Sequence, residues 1–263
     1  MSTIRFPRPS RQVARGGLRR LASATVLVAA LAVPFTAPAS AAAASTTTDG
    51  CATQRAAFLA SPTLANAKAL GDCMAAIRLE FLGKATGRVQ SSKVLTSADR
   101  GGLLSILSGD TNGITSLKSK LDAETTVKAT IADARSMVVD YRVFLLGGRQ
   151  VALVIGVDAV GAVASHFDTV HQKLETLIDA AAAQGRDVTA ARASLAAMDA
   201  SVVQARADVG GLSAKLLALT PAEYDAGTAG PVLDGARASL RAARDSLVAA
   251  RKDAAAVLED LGR

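Results

Sequence analysis

Apolar residues along this chain recur in alternating steps of three and four, the spacing that lines one face of an α-helix. The clearest run is Val188, Ala191, Leu195, Met198, Val202, Ala205, Val209, Leu212, Leu216 and Leu219. It predicts one helix over 188–219, about 48 Å long, with Asp187 as its N-cap and Gly185 ending the helix before it. A second run, Leu233, Ala236, Leu240, Ala243, Leu247, Ala250, Ala254, Val257 and Leu261, predicts a last helix whose other faces carry Arg237, Arg241, Asp245 and Lys252. Both are heptad seams of the kind that pack helix on helix. The segments ARASLAAMDASVVQARAD (191–208) and ARASLRAARDSLVAARKD (236–253) also align without gaps, identical at 11 of 18 positions. Duplication and shared composition explain this equally well.

Between these helices, Thr220, Pro221 and Glu223 have the spacing of a capping box with proline at the first helical position, which predicts a short helical turn. The connection is short enough to make the flanking helices antiparallel neighbours.

Upstream, Val127, Ile131, Ala134, Val138, Tyr141 and Leu145 form one seam. Val157, Val160, Ala164, Phe167, His171, Leu174, Ile178 and Ala181 form another. Extended past Gly147-Gly148, the first seam misses the second by one to two residues, which turns the stripe by about 150°. The paired glycines are therefore the predicted turn or sharp kink, the hinge of a helical hairpin.

The segment DYRVFLLGGRQVALVIGVDAV (140–160) is the most apolar part of the chain beyond the N-terminal run. Eleven Leu, Ile, Phe or Val residues lie in the window 143–164, contributing roughly −5 kcal/mol toward insertion in a bilayer. Arg149 and Asp158 cost about +5 to +7 kcal/mol there. A membrane span is disfavoured, and the centre of a folded core is the expected role.

The first 20 residues contain six arginines (Arg5, Arg8, Arg11, Arg15, Arg19 and Arg20) and no acid. They precede the apolar run LASATVLVAALAV and the small-residue stretch PFTAPASA. This is the layout of a secretory signal peptide over 1–41, with cleavage after Ala41, and it predicts export. The formal net charge of +7 is then largely a targeting feature: without those arginines, 24 basic residues stand against 23 acidic ones. Neither that balance nor six Phe, two Tyr and no Trp supports a nucleic-acid partner.

An exported chain with two cysteines predicts a disulfide. Cys51 and Cys73 lie about equally far on either side of a turn at ASPT (60–63), so an antiparallel hairpin would bring them face to face. The expected layout is a segment over 42–96 containing this stapled hairpin, followed by a long-helix bundle over 97–263.

Catalytic chemistry is scarce. His166 and His171 are five residues apart and do not stack on one helix face. Asp168, His171 and Glu175 can share a face, but a di-iron bundle site needs a second histidine-bearing motif, and none exists. A core or rim histidine is the plainer reading. No GxSxG, HExxH or glycine-rich phosphate loop is present. No catalytic, cofactor-binding or metal-ligating residue is therefore expected.

The blocks DYRVFLL, QVALVIGVDAV, LALTPAEYDA and LRAARDSLVAARKDA resemble a group of uncharacterised exported Ala/Arg-rich helical proteins of actinobacteria. The resemblance covers most of residues 70–262 and implies export and a helical fold, but carries over no functional residue. The expected class is all-α, with long antiparallel helices in an up-down, coiled-coil-like bundle and a disulfide-stapled N-terminal hairpin. The expected role is non-enzymatic: a structural or interaction protein of the envelope or medium, with a protein partner or self-association through helix faces. The alternative is an extracellular carrier of a lipid or other apolar ligand held by residues 143–164.

Overall fold

The computed structural model describes residues 50–262, so the expected signal peptide and its cleavage site lie outside the described residues. Every regular element among the described residues is helical: α1 (Ala52–Ala60), α2 (Leu64–Ser91), α3 (Ser97–Ala123), α4 (Val127–Val139), a π-helical turn (Val143–Gly147), α5 (Gly148–Ala183), α6 (Thr189–Val209), α7 (Leu212–Leu217), α8 (Pro221–Asp225) and α9 (Ala229–Gly262).

The N-terminal hairpin forms as its sequence predicts. Pro62 lies in the turn between α1 and α2, and Thr63 caps α2 by accepting the Asn66 N–H at 3.3 Å. The Asn66 amide donates back to the Ser61 and Ala57 carbonyls, so both helix ends are tied to the turn. Cys51 and Cys73 are joined in a disulfide with their Cα atoms 5.9 Å apart.

Helices α2, α3 and α4 pack against one another. Thr96 and Thr126 cap α3 and α4 by accepting the Asp99 and Ala129 N–H groups. The buried face of α4 is not the predicted one. Thr130, Asp133, Ala134 and Met137 face inward, while Ile131 and Val138 are half-buried. Two polar residues take core positions because both have partners: the Thr130 hydroxyl donates to the Thr126 carbonyl at 2.9 Å, and Asp133 pairs with Lys120 at 2.7 Å. The seam also fails at Leu145, which is exposed, and Leu146 is buried in its place.

Helices α5, α6 and α9 pack on each other in pairs. The seam Val157, Val160, Ala164, Phe167, Leu174, Ile178 and Ala181 of α5 is buried, as are Ala191, Leu195, Met198, Val202, Ala205 and Val209 of α6. Ion pairs give the direction: Arg192 meets Asp179, Asp199 meets His171, and Arg206 meets Asp168. Residue numbers rise on α6 as they fall on α5, so these two helices run oppositely. On α9, Asp234 meets Arg149 and Leu240 lies against Gly156, so α9 runs with α5.

The single helix expected over 188–219 is broken. Helix α6 stops at Val209; Gly210 is non-helical, with ψ 121°, and Gly211 takes the left-handed conformation with φ +70°. Apolar spacing runs through the break, and Leu216 of α7 is still buried, but backbone direction changes at a residue without a Cβ. Asp187 does not head the helix as a formal N-cap; its carboxylate accepts the Thr189 N–H at 2.9 Å, which lowers its pKa. The Thr220/Glu223 capping box is present in full.

Candidate functional site

The turn between α4 and α5 gathers the least ordinary chemistry of the described chain. The direction change does not fall on the glycine pair: Gly147 and Gly148 are both right-handed helical. It falls at Arg142, whose φ of 45° and ψ of 33° make it the one non-glycine residue with positive φ among those described. A side chain in that region costs about 1–2 kcal/mol. The following turn is widened, with the Gly148 N–H bonding to the Val143 carbonyl. Such π-turns are rare and are frequent at functional sites.

Arg142 is held from the far end of the chain. Its Nε donates to Asp225 Oδ1 at 2.7 Å, Nη2 pairs with the same oxygen, and the guanidinium lies 5.8 Å from the centre of the Tyr224 ring. Tyr224 and Asp225 belong to α8, which the capping box starts. Two further polar residues of the apolar stretch turn the same way. Gln150, 2% exposed, donates to the Leu216 and Leu219 carbonyls at 2.8 and 3.0 Å, satisfying acceptors at the C-terminal end of α7. Arg149 meets Asp234 at 3.0 Å.

The other side of the turn faces α2 and α3. Phe144 makes an edge-to-face contact with Phe81, with ring centroids 5.0 Å apart, and carries the buried Arg78 guanidinium 5.4 Å above its ring. Arg78 also donates to the Met74 carbonyl, and burial pushes its pKa below the ordinary value. A Cβ at Gly148 would lie 2.8 Å from Phe81 Cζ, so this glycine is needed for a close approach and not for a turn. Tyr141 crosses Gly113 so closely that a Cβ there would lie 2.1 Å from the phenol oxygen. Asp110 Oδ2 sits 3.5 Å from where a Gly147 Cβ would be, and burial raises the Asp110 pKa to about 6.

The histidine constellation does not assemble. His171 Nδ1 is 2.9 Å from Asp199, Glu175 lies 3.8 Å away, and Asp168 is taken by Arg206 at 2.7 Å. Among the described residues, no group of three or more His, Cys, Asp or Glu could hold a metal ion. The span Val127–Ala183 contains a window long and apolar enough to cross a membrane, and half of that window is buried inside the protein.

Sequence reasoning found the disulfide pair but not Arg78, Asp110, Arg142 or Asp225. The signals available were an aspartate in the run Leu103, Leu107, Asp110, Ile114, Leu117, Leu121, and the two sequence blocks that contain Arg142 and Asp225. Comparison with protein-family models, with curated proteins and with solved structures finds no match for this chain.

Proposed function

We propose that this chain is an exported, non-enzymatic helical structural or interaction protein of the cell envelope or the medium. One observation carries the reading: the apolar stretch over 143–164 is filled by the chain's own side chains. Val143, Leu146, Val151, Val154, Val157 and Val160 are buried, and Phe81 occupies the space over Gly148. A carrier would keep that space for its ligand.

Helices α5, α6 and α9 are read as an up-down bundle with coiled-coil-like packing. The opposed order of the α5 and α6 ion pairs and the buried seams, interrupted on α5 only at the half-buried His171, support this. Export is supported by the arginine-rich, apolar N-terminal sequence and by a disulfide, which persists in oxidising compartments. The resemblance to exported actinobacterial helical proteins agrees with the same placement.

Native mass spectrometry of the protein purified from the medium or wall tests the reading. The expected mass is that of the chain cleaved after Ala41, with its disulfide and no small molecule. A lipid or other apolar molecule retained at one per chain would instead establish the carrier.

A further inference from the structure

Asp110 occupies a heptad position of α3 in line with the buried Leu103, Leu107, Ile114 and Leu121, and it faces the π-turn at Gly147. It has no hydrogen bond or ion pair among the described residues. Asp158 of α5, 8% exposed, crosses the same interface at another height. Its Oδ2 accepts the Thr96 N–H at 2.7 Å, and the Asp99 carboxyl is within hydrogen-bonding reach.

Among the described residues, no cation is paired with Asp110 or Asp158, and six of those on the surrounding elements have other partners. Lys118 pairs with Asp72 and Asp122, Lys120 with Asp133, Arg142 with Asp225 and Arg149 with Asp234. Arg100 is spent on the Val89, Gln90 and Ser92 carbonyls, and Arg78 on Met74 and Phe144. The phenol of Tyr141 lies one turn along α3, over Gly113. A half-buried carboxyl, Asp110, and a buried one, Asp158, therefore span one helix interface with no cation paired to either.

We propose that the contact between α3 and the helical segment beginning at Val143 is an acid-tightened joint, in which Asp110 and Asp158 take up protons as the medium acidifies and the two layers hold together more firmly. Protonation removes an uncompensated, partly desolvated charge at Asp110. At Asp158 it replaces repulsion from Asp99 with a hydrogen bond between the two carboxyls, and the remaining lone pairs still accept the Thr96 N–H.

The direction follows from linkage. Burial raises both pKa values, that of Asp110 from 3.8 to about 6. The folded state then binds a proton that the unfolded state has already released. For Asp110, stability from this source is fully present below about pH 4 and is lost as pH rises through about 6. For Asp110 alone, the folding equilibrium constant is about tenfold larger near pH 5 than near pH 7.5.

The test is urea unfolding of the mature, disulfide-bonded chain at these two pH values, for wild type, Asp110→Asn, Asp158→Asn and the double variant. All other ionisable groups are common to the four proteins, so differences between them isolate the two carboxyls. The expected result is that Asp110→Asn removes about tenfold of the wild-type pH 5 to pH 7.5 ratio and that the double variant removes more. If Asp110→Asn does not fold, Asp110→Leu, which completes the apolar seam, gives the same reading. Variants that keep the wild-type ratio, or a wild type less stable at pH 5 by a margin the variants share, overturn the proposal.

Discussion

Arg142 and Asp225 stand 83 residues apart in sequence and share a 2.7 Å hydrogen bond that joins the turn before α5 to the short helix before α9. The pair is partly buried, with 20% and 33% of the two side chains exposed. It holds the one left-handed non-glycine residue among those described. Asp225→Ala should cost about 1–3 kcal/mol, because the arginine keeps its strained backbone and loses its charged partner. Arg142→Gly should cost less than Arg142→Ala by about 1 kcal/mol, since glycine takes this conformation without strain. Urea unfolding of the three variants measures both differences.

The glycine pair separates by its surroundings. Gly147→Ala meets only ordinary contact and adds a helix-favouring residue, so stability should stay level or rise by about 0.5–1 kcal/mol. Gly148→Ala forces the Phe81 ring to move and should cost about 1–3 kcal/mol. Gly113→Ala should cost at least as much, because the Tyr141 ring has to shift off α3 at this point. Thermal melts of the three single variants give the order. Equal effects at 147 and 148 would restore the glycine-turn reading.

Gln150→Leu tests the link from the apolar segment to α7. It keeps the bulk of the side chain but leaves the Leu216 and Leu219 carbonyls without their donor, at a cost of about 2–3 kcal/mol. Hydrogen exchange should speed up in 212–225 more than in α2 or α3.

The disulfide closes a sequence separation of 22 residues. Replacing Cys51 and Cys73 with serine should lower stability by about 3 kcal/mol, mainly by freeing the unfolded chain. Denaturant titration of oxidised and double-serine proteins reads this directly.

Much of the helical framework was legible because apolar spacing reports which face is buried. The α5 and α6 seams were readable in this way, and the Thr220/Glu223 capping box from the spacing of its polar residues. The α4 face lies about one residue from the apolar stripe because two polar residues are buried there: Thr130 bonds its own helix and Lys120 reaches Asp133, and neither partner shows in apolar spacing. The break at Gly210-Gly211 was hidden for a different reason: leucines continue in register beyond it while the backbone of the two glycines turns. The junction was least legible. Its residues come from 78–81, 110–113, 141–150 and 216–225, and no local pattern shows that they meet. Gly148 was singled out correctly but for the wrong cause, since it makes room for Phe81 instead of turning the chain.

If the proposed function holds, residues 143–164 form the interior of a helical fold that needs no lipid. Hydrogen exchange of the mature protein in detergent-free buffer tests it most directly. Amides from Leu146 to Val160 should be among the slowest to exchange, with no change when lipid vesicles are added. Exchange of this segment within seconds in buffer, with protection appearing only on addition of lipid or detergent, would contradict it.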